Sequence, residues 1–144
     1  MKTIDTWELH ALIFRETAKQ IAMLGDSKYA VPSLSWVKGA FSKDWRDFVG
    51  MLKVADYAPS ANDCDDFARL AATLAQVCHH RTKGHPTDTG LAFGEIWYQS
   101  PQGLHAINVF VFGKDLELGF YEPQAFKVVS LTEEEKNSSI YVRF

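Results

Sequence analysis

The sequence predicts an α+β domain with N-terminal helices packed on one antiparallel β-sheet, on three observations. Apolar residues recur at helical spacing through the first half of the chain. After the Gly- and Pro-containing segment 81–90 the apolar period falls to two. No repeat, low-complexity run or linker divides the 144 residues, so residues 1–144 read as a single domain.

Taking the elements in order, Asp5 and Glu8 form a capping-box pattern. Ile4, Trp7, Ala11, Phe14, Ala18, Ile21 and Ala22 then mark a helix over about 5–24, with Gly25 as its stop. Val31-Pro32-Ser33 interrupts any helix, and 25–41 reads as loop. Ser42 is an N-cap for a short helix carrying Trp45, Phe48, Val49 and Leu52 on one side. Lys53 to Ala61 is a loop, and from Asn62 or Asp63 a strong helix runs to about His80. Its apolar stripe is Phe67, Leu70, Ala71, Leu74, Val77 and Cys78. Four β runs follow at 93–98, 105–112, 116–122 and 140–144, with a shorter one at 128–131.

Composition narrows the function classes. Hydrophobic residues make up 47% and charged residues 23%, an ordinary globular balance. A net charge of −3 argues against nucleic acid or a membrane surface as partner, since both want a basic field. No stretch approaches the roughly 18 apolar residues of a membrane span. The N-terminus lacks the apolar run of a signal peptide, which makes the cytoplasm the expected location. The two cysteines, Cys64 and Cys78, would stand about 21 Å apart on one helix, out of disulfide reach.

The stretch Asn62-Asp63-Cys64-Asp65-Asp66-Phe67-Ala68 places a cysteine among carboxylates in the first turn of a helix, where unpaired amides favour thiolate. Gly113-Lys114 reads as a two-residue type II′ turn. That loop pairs Phe112 with Asp115 and, further down the ladder, His105 with Glu122, both on the face carrying Ile107, Val109, Val111, Leu118 and Phe120. A cysteine at a helix start, with a histidine held by a carboxylate, has the logic of a thiol nucleophile, its base and an orienting acid. The Cys64 amide is one candidate oxyanion donor, and Tyr57 is the candidate for a second. Asn108 points to the face opposite His105. The pair His79 and His80 complements the negative end of its helix.

Cys64 with its acidic flanks, Gly-Leu-His105-Ala and Tyr-Glu122-Pro-Gln together resemble the papain-like and transglutaminase-like cysteine peptidase superfamily, nearest to the C-terminal protease domains of the fairy-ring mushroom agglutinin type. The resemblance covers about 55–125. It implies a papain-like fold, proteolysis through Cys64, His105 and Glu122, and a calcium or manganese requirement carried by Asp65, Asp66 and Gln124. A cation there would also offset the repulsion that Asp63, Asp65 and Asp66 exert on a thiolate. The expected substrate is a polypeptide. Peptidoglycan peptides, as in NlpC/P60-type peptidases, and acyl transfer as in transglutaminases are the alternatives within the enzyme class. A non-catalytic binding protein is the alternative outside it. A depressed Cys64 pKa favours the enzyme.

Overall fold

In the computed structural model, residues 1–17, 22–53 and 63–144 are described. Of the eight strands and five α-helices of the described residues, two short strands lie among the N-terminal helices and the other six follow the fourth helix. Strands β1 (Thr3–Asp5), β2 (Lys28–Ala30) and β3 (Gly90–Leu91) form a three-stranded sheet, antiparallel between β1 and β2 and parallel between β2 and β3. Strands β4 (Phe93–Ser100), β5 (Gly103–Phe112), β6 (Glu117–Glu122), β7 (Lys127–Val129) and β8 (Tyr141–Arg143) form the main antiparallel sheet in the order β7-β6-β5-β4-β8.

The expected papain-like arrangement, with a helical N-terminal block against one sheet, is corrected here. Strands β1 and β2 bracket α1 (Thr6–Thr17), and both faces of the main sheet are covered. On one face Ile96, Ile107, Val109 and Phe120 pack with Leu9, Leu12 and Ile13 of α1. On the other, Phe93, Phe110 and Tyr121 pack with Phe41, Trp45, Phe67 and Ala71. Strands β1 to β3 escape a sequence reading because two or three residues show no period, and β3 pairs with a strand some sixty residues earlier.

The helices also differ from expectation in their faces. The capping box of α1 forms, with the Glu8 amide donating to Asp5 Oδ1 at 2.9 Å. Its buried set is Leu9, Leu12 and Ile13, an alternative i, i+3, i+4 choice that leaves Trp7 84% exposed. The helix does not continue to Leu24: Met23 instead bridges to Arg143 beside β8. Residues 34–52 form one near-continuous helical run: α2 (Leu34–Trp36), a π-helical turn (Val37–Phe41) and α3 (Ser42–Leu52). Ser33 is its N-cap, accepting from the Trp36 amide at 3.1 Å. Ser42 is therefore no cap. It is buried, donates to the Phe126 carbonyl at 2.8 Å and shares a 3.0 Å hydrogen bond with the Tyr121 hydroxyl. Helix α4 (Cys64–His80) is capped by Asp63 in a capping box with Asp66. A short helix α5 (Glu133–Asn137), capped by Thr132, completes the list.

The main sheet carries the register correction that bears on the site. The β5–β6 loop is four residues, 113–116, with Gly113 at φ 79° and Leu116 at φ 58°, so Phe112 pairs with Glu117 and not with Asp115. The ladder is slipped by two residues. An even slip preserves the faces, so His105 and Glu122 remain on one side but become diagonal neighbours. Among the described residues, no helix is long and apolar enough to cross a membrane.

Candidate functional site

Cys64 is the first residue of α4, and β5 passes beneath it. The buried Asn108 side chain locks the two together, its Nδ2 donating to the Ala68 carbonyl of α4 at 2.7 Å and to the Gly94 carbonyl of β4 at 2.9 Å. That junction puts the Ala106 amide within hydrogen-bonding reach of the Cys64 sulfur, one residue along the strand from His105. His105 Nε2 and Glu122 Oε2 are 2.7 Å apart, a charge-assisted distance. The other oxygen of Glu122 accepts from the Gln124 amide at 3.1 Å. The turn after Glu122 is itself held from α3: the Trp45 indole donates to the Pro123 carbonyl at 2.8 Å. Trp45 is fully buried, and by area burial its side chain contributes roughly 2–3 kcal/mol to this anchoring.

Tyr98 completes the cluster, its ring belonging to the buried core at this end of the sheet. It is the direct cross-strand partner of His105, with ring centroids 5.9 Å apart at a steep angle. Burial, then the charges of Glu135, Glu122 and Cys64, push its hydroxyl up to about 12, so it stays a proton donor. The alternation of β4 alone could have flagged it, since Tyr98 follows Ile96 on the face opposite Trp97. A cleft of about 350 Å³ opens at this end of the sheet, lined by Tyr98, Ser100, Gln102, His105, Glu122 and Glu135 among others.

The thiol itself is shifted away from reactivity. Burial pushes Cys64 up from its ordinary range, the Ala106 amide pulls it down, and the Asp63 and Asp65 charges push it up again. The net direction is upward, against the depressed value expected of a nucleophile. Asp63, Asp65 and Asp66 bring a carboxylate oxygen each to within 4.8 Å of one another. A hydrogen bond to Asp63, made by the protonated form, then burial, raises the Asp65 carboxyl, while Arg69 lowers it. Three converging hard oxygen donors fit a divalent cation such as calcium or manganese. Gln124 enters the site through its backbone amide on Glu122. Tyr57, the expected second oxyanion donor, lies outside the described residues.

At the far end of α4 the expected role is corrected for one of the two histidines, His79. His79 is 2% exposed and its Nδ1 lies 2.7 Å from Nδ1 of His85. Burial and then His85 lower it to about 4, so it is neutral and places no charge at the helix end.

No family model matches the chain, and no curated protein matches it. Solved structures do. A complex of PSL1a with E-64 matches at 20% identity and a TM-score of 0.75, covering 99% of this chain and 51% of that one. The Polyporus squamosus lectin bound to the human-type influenza-binding epitope Neu5Aca2-6Galb1-4GlcNAc matches at 19% identity and a TM-score of 0.73, covering 99% and 49%. The chain shares its fold with about half of a lectin chain.

The assignment to papain-like or transglutaminase-like peptidases is therefore corrected. A solved chain that shares this fold is that of the Polyporus squamosus lectin, and the Cys64 thiol is raised rather than depressed. With that assignment go the hydrolase activity through Cys64, His105 and Glu122, its peptidoglycan and acyl-transfer variants, and the polypeptide or peptidoglycan-peptide substrate. The ligand named for the second lectin structure is a glycan.

Proposed function

We propose that the chain is a non-catalytic ligand-binding domain whose site is the Tyr98, His105 and Glu122 cleft beside Cys64, and that it takes thiol-directed ligands of the E-64 type by covalent capture. The observation that carries this reading is an adjacency on β5: the Ala106 amide reaches the Cys64 sulfur, and the neighbouring residue, His105, is held by Glu122 at 2.7 Å. The E-64 named in the PSL1a complex supports the ligand class. E-64 is an epoxide. The sulfur attacks one ring carbon, the C–S bond forms as a ring C–O bond breaks, and the alkoxide takes up the proton the thiol released. His105 receives and returns that proton, and Glu122 orients the ring. The reading is of capture, not of turnover.

Mass spectrometry of the whole chain after incubation with E-64 is the test. One adduct is expected, mapping to Cys64 and lost in Cys64→Ser. No adduct, or equal labelling of Cys78, sinks the reading. The labelling rate should also climb with pH and reach half its maximum above the ordinary thiol value of about 8.5, because only thiolate attacks and this thiol is raised. A plateau already reached by neutral pH would contradict the raised thiol.

A cation belongs to the same proposal. Calcium or manganese on Asp63, Asp65 and Asp66 would offset the charges that push Cys64 up. Millimolar calcium is expected to speed alkylation of Cys64 several-fold at neutral pH. Asp65→Asn is expected to speed it without calcium and to blunt the calcium effect. Labelling indifferent to calcium and to Asp65→Asn removes the cation from the site.

Glycan binding is a second reading, supported by the lectin neighbours and by the cleft's chemistry. Tyr98 offers a ring, and Ser100, Gln102 and Glu135 offer hydroxyl, amide and carboxylate groups suited to sugar hydroxyls. Because the chain spans about half of each lectin chain, the glycan is a proposal for this half. Calorimetric titration with the epitope of the second complex, repeated on Gln102→Ala, decides it: saturable binding weakened by the substitution supports the reading, and no heat removes it.

A further inference from the structure

A second cleft lies on the other flank of α4, between the helix and the β4–β8 edge of the main sheet. Its volume is about 460 Å³, and Leu91, Phe93, Ala72 and Tyr29 contribute apolar wall. Glu95, on β4, is its unusual member. The residue is 2% exposed, pairs with Asn108 and Arg143 in the sheet, and turns its carboxylate toward α4.

That carboxylate is poorly matched by its surroundings. Its Oε1 lies 3.8 Å from Arg69 Nε, beyond hydrogen-bond length, and its Oε2 is buried without a hydrogen-bond partner among the described residues. A buried carboxylate is normally paired at close range and hydrogen-bonded on its remaining lone pairs. Arg69 is shared with Asp65, 3.5 Å from its Nη2, and half its side chain is in solvent. It is a loose lid rather than a fixed partner.

Other groups on the cleft reinforce acceptor character. The Asp26 carboxylate lies against Gly90, where an added Cβ would fall 2.2 Å from its Oδ2, and the Arg143 carbonyl lies against Gly94 in the same way. The side-chain oxygen of Gln76 is taken by the Leu91 amide. The two cations on the wall, Arg69 and Arg143, are both exposed, so the buried charge of the cleft is Glu95 alone.

We infer that this cleft is a binding site for an organic primary ammonium ion, its apolar body against Phe93 and Leu91 and its head group on Glu95 after Arg69 swings out. An ammonium supplies three donors at one point, enough to fill the unused oxygen of Glu95 and still reach a neighbouring acceptor. The site is a different cleft from the one beside Cys64, and the two share Arg69, which also reaches Asp65.

Benzylamine and its neutral counterpart benzyl alcohol test it, titrated onto the whole chain by calorimetry at neutral pH with ring signals of Tyr29 and Phe93 followed by NMR. Saturable benzylamine binding is expected, at least tenfold tighter than benzyl alcohol, with the cleft rings shifting. Glu95→Gln should weaken it at least tenfold while circular dichroism stays native. Arg69→Ala leaves the carboxylate and removes its competitor, so it should tighten binding several-fold, and this variant keeps the test sharp if Glu95→Gln fails to fold. Equal affinity for the alcohol, no saturation at millimolar amine, or Arg69→Ala that weakens binding would each overturn the inference.

Discussion

Gly94→Ala is expected to lower the thermal midpoint by about 10 °C or more, as the largest single loss from one added carbon. A Cβ at that position would sit 1.8 Å from the Arg143 carbonyl oxygen and 2.8 Å from its carbon, and both belong to backbone. A side chain could rotate away, but β8 cannot. It must leave the sheet edge, taking with it the Glu95–Arg143 and Ile96–Val142 pairs and the Met23 bridge. Overpacking usually costs about 1–3 kcal/mol, and a clash with backbone belongs at or above the top of that range. For a chain of this size each kcal/mol moves the midpoint by roughly 2–4 °C. Gly50→Ala is the control. It lies inside α3 with nothing within 4 Å of an added Cβ, and should gain roughly 0.5–1 kcal/mol from helix propensity. Equal midpoints for the two variants would show that β8 does not press on Gly94 as described.

Asn108→Asp is the second large effect, and it is pH-dependent. The residue is fully buried, and its amide nitrogen donates to the carbonyls of Ala68 and Gly94 at 2.7 and 2.9 Å. A carboxylate there donates nothing and faces two carbonyl oxygens, at a cost of several kcal/mol. Burial and those oxygens raise the new carboxyl's folded pKa above its unfolded value of about 3.9. Below about pH 4 both states are protonated and the variant is least impaired. The penalty grows as pH rises through that value and is complete above the folded pKa. Urea unfolding at pH 4 and pH 8 should therefore give a larger deficit relative to wild type at pH 8. A deficit independent of pH would mean that the lost hydrogen bonds, not the buried charge, set the cost. Because Asn108 joins β5 to α4, the pH profile of Cys64 alkylation is expected to move toward that of an ordinary thiol in the same variant.

Much of the local structure was legible. The alternation from Phe93 to Glu122 is long, and β4, β5 and β6 lie where it places them. Asp63 and Asp66 signal the start of α4 because a capping box is a contact between neighbours in sequence. The meeting of His105 with Glu122 was legible for a partly wrong reason. The turn is four residues and holds Leu116 at a positive φ, which a bulky side chain does not advertise. The pairing slipped by two residues, an even number, so both side chains kept their face and still reached each other at 2.7 Å. A slip of one would have parted them.

Other features were not legible because several residues at a time decide them. Which of two apolar stripes α1 buries depends on the sheet it meets, and Leu9, Leu12 and Ile13 displaced the set that included Trp7. Ser33 and Ser42 are both good caps by chemistry; a π-helical turn between them made one run, so the first became the cap and the second a buried link to Tyr121 and Phe126.

The sequence by itself determined where the strands of the main sheet and the Cys64 helix begin to within a residue or two, because alternation, caps and breakers act over a few bonds. It also placed a cysteine, a histidine and a glutamate at one end of the fold. Only the tertiary structure decided what that cysteine is. The acidic collar is visible in the sequence, but the net shift of the thiol depends on how much water α4 and β5 exclude, on an amide from Ala106, and on how near Asp63 and Asp65 come. Those quantities arise from packing across some forty residues of chain, and they set the thiol above its ordinary value.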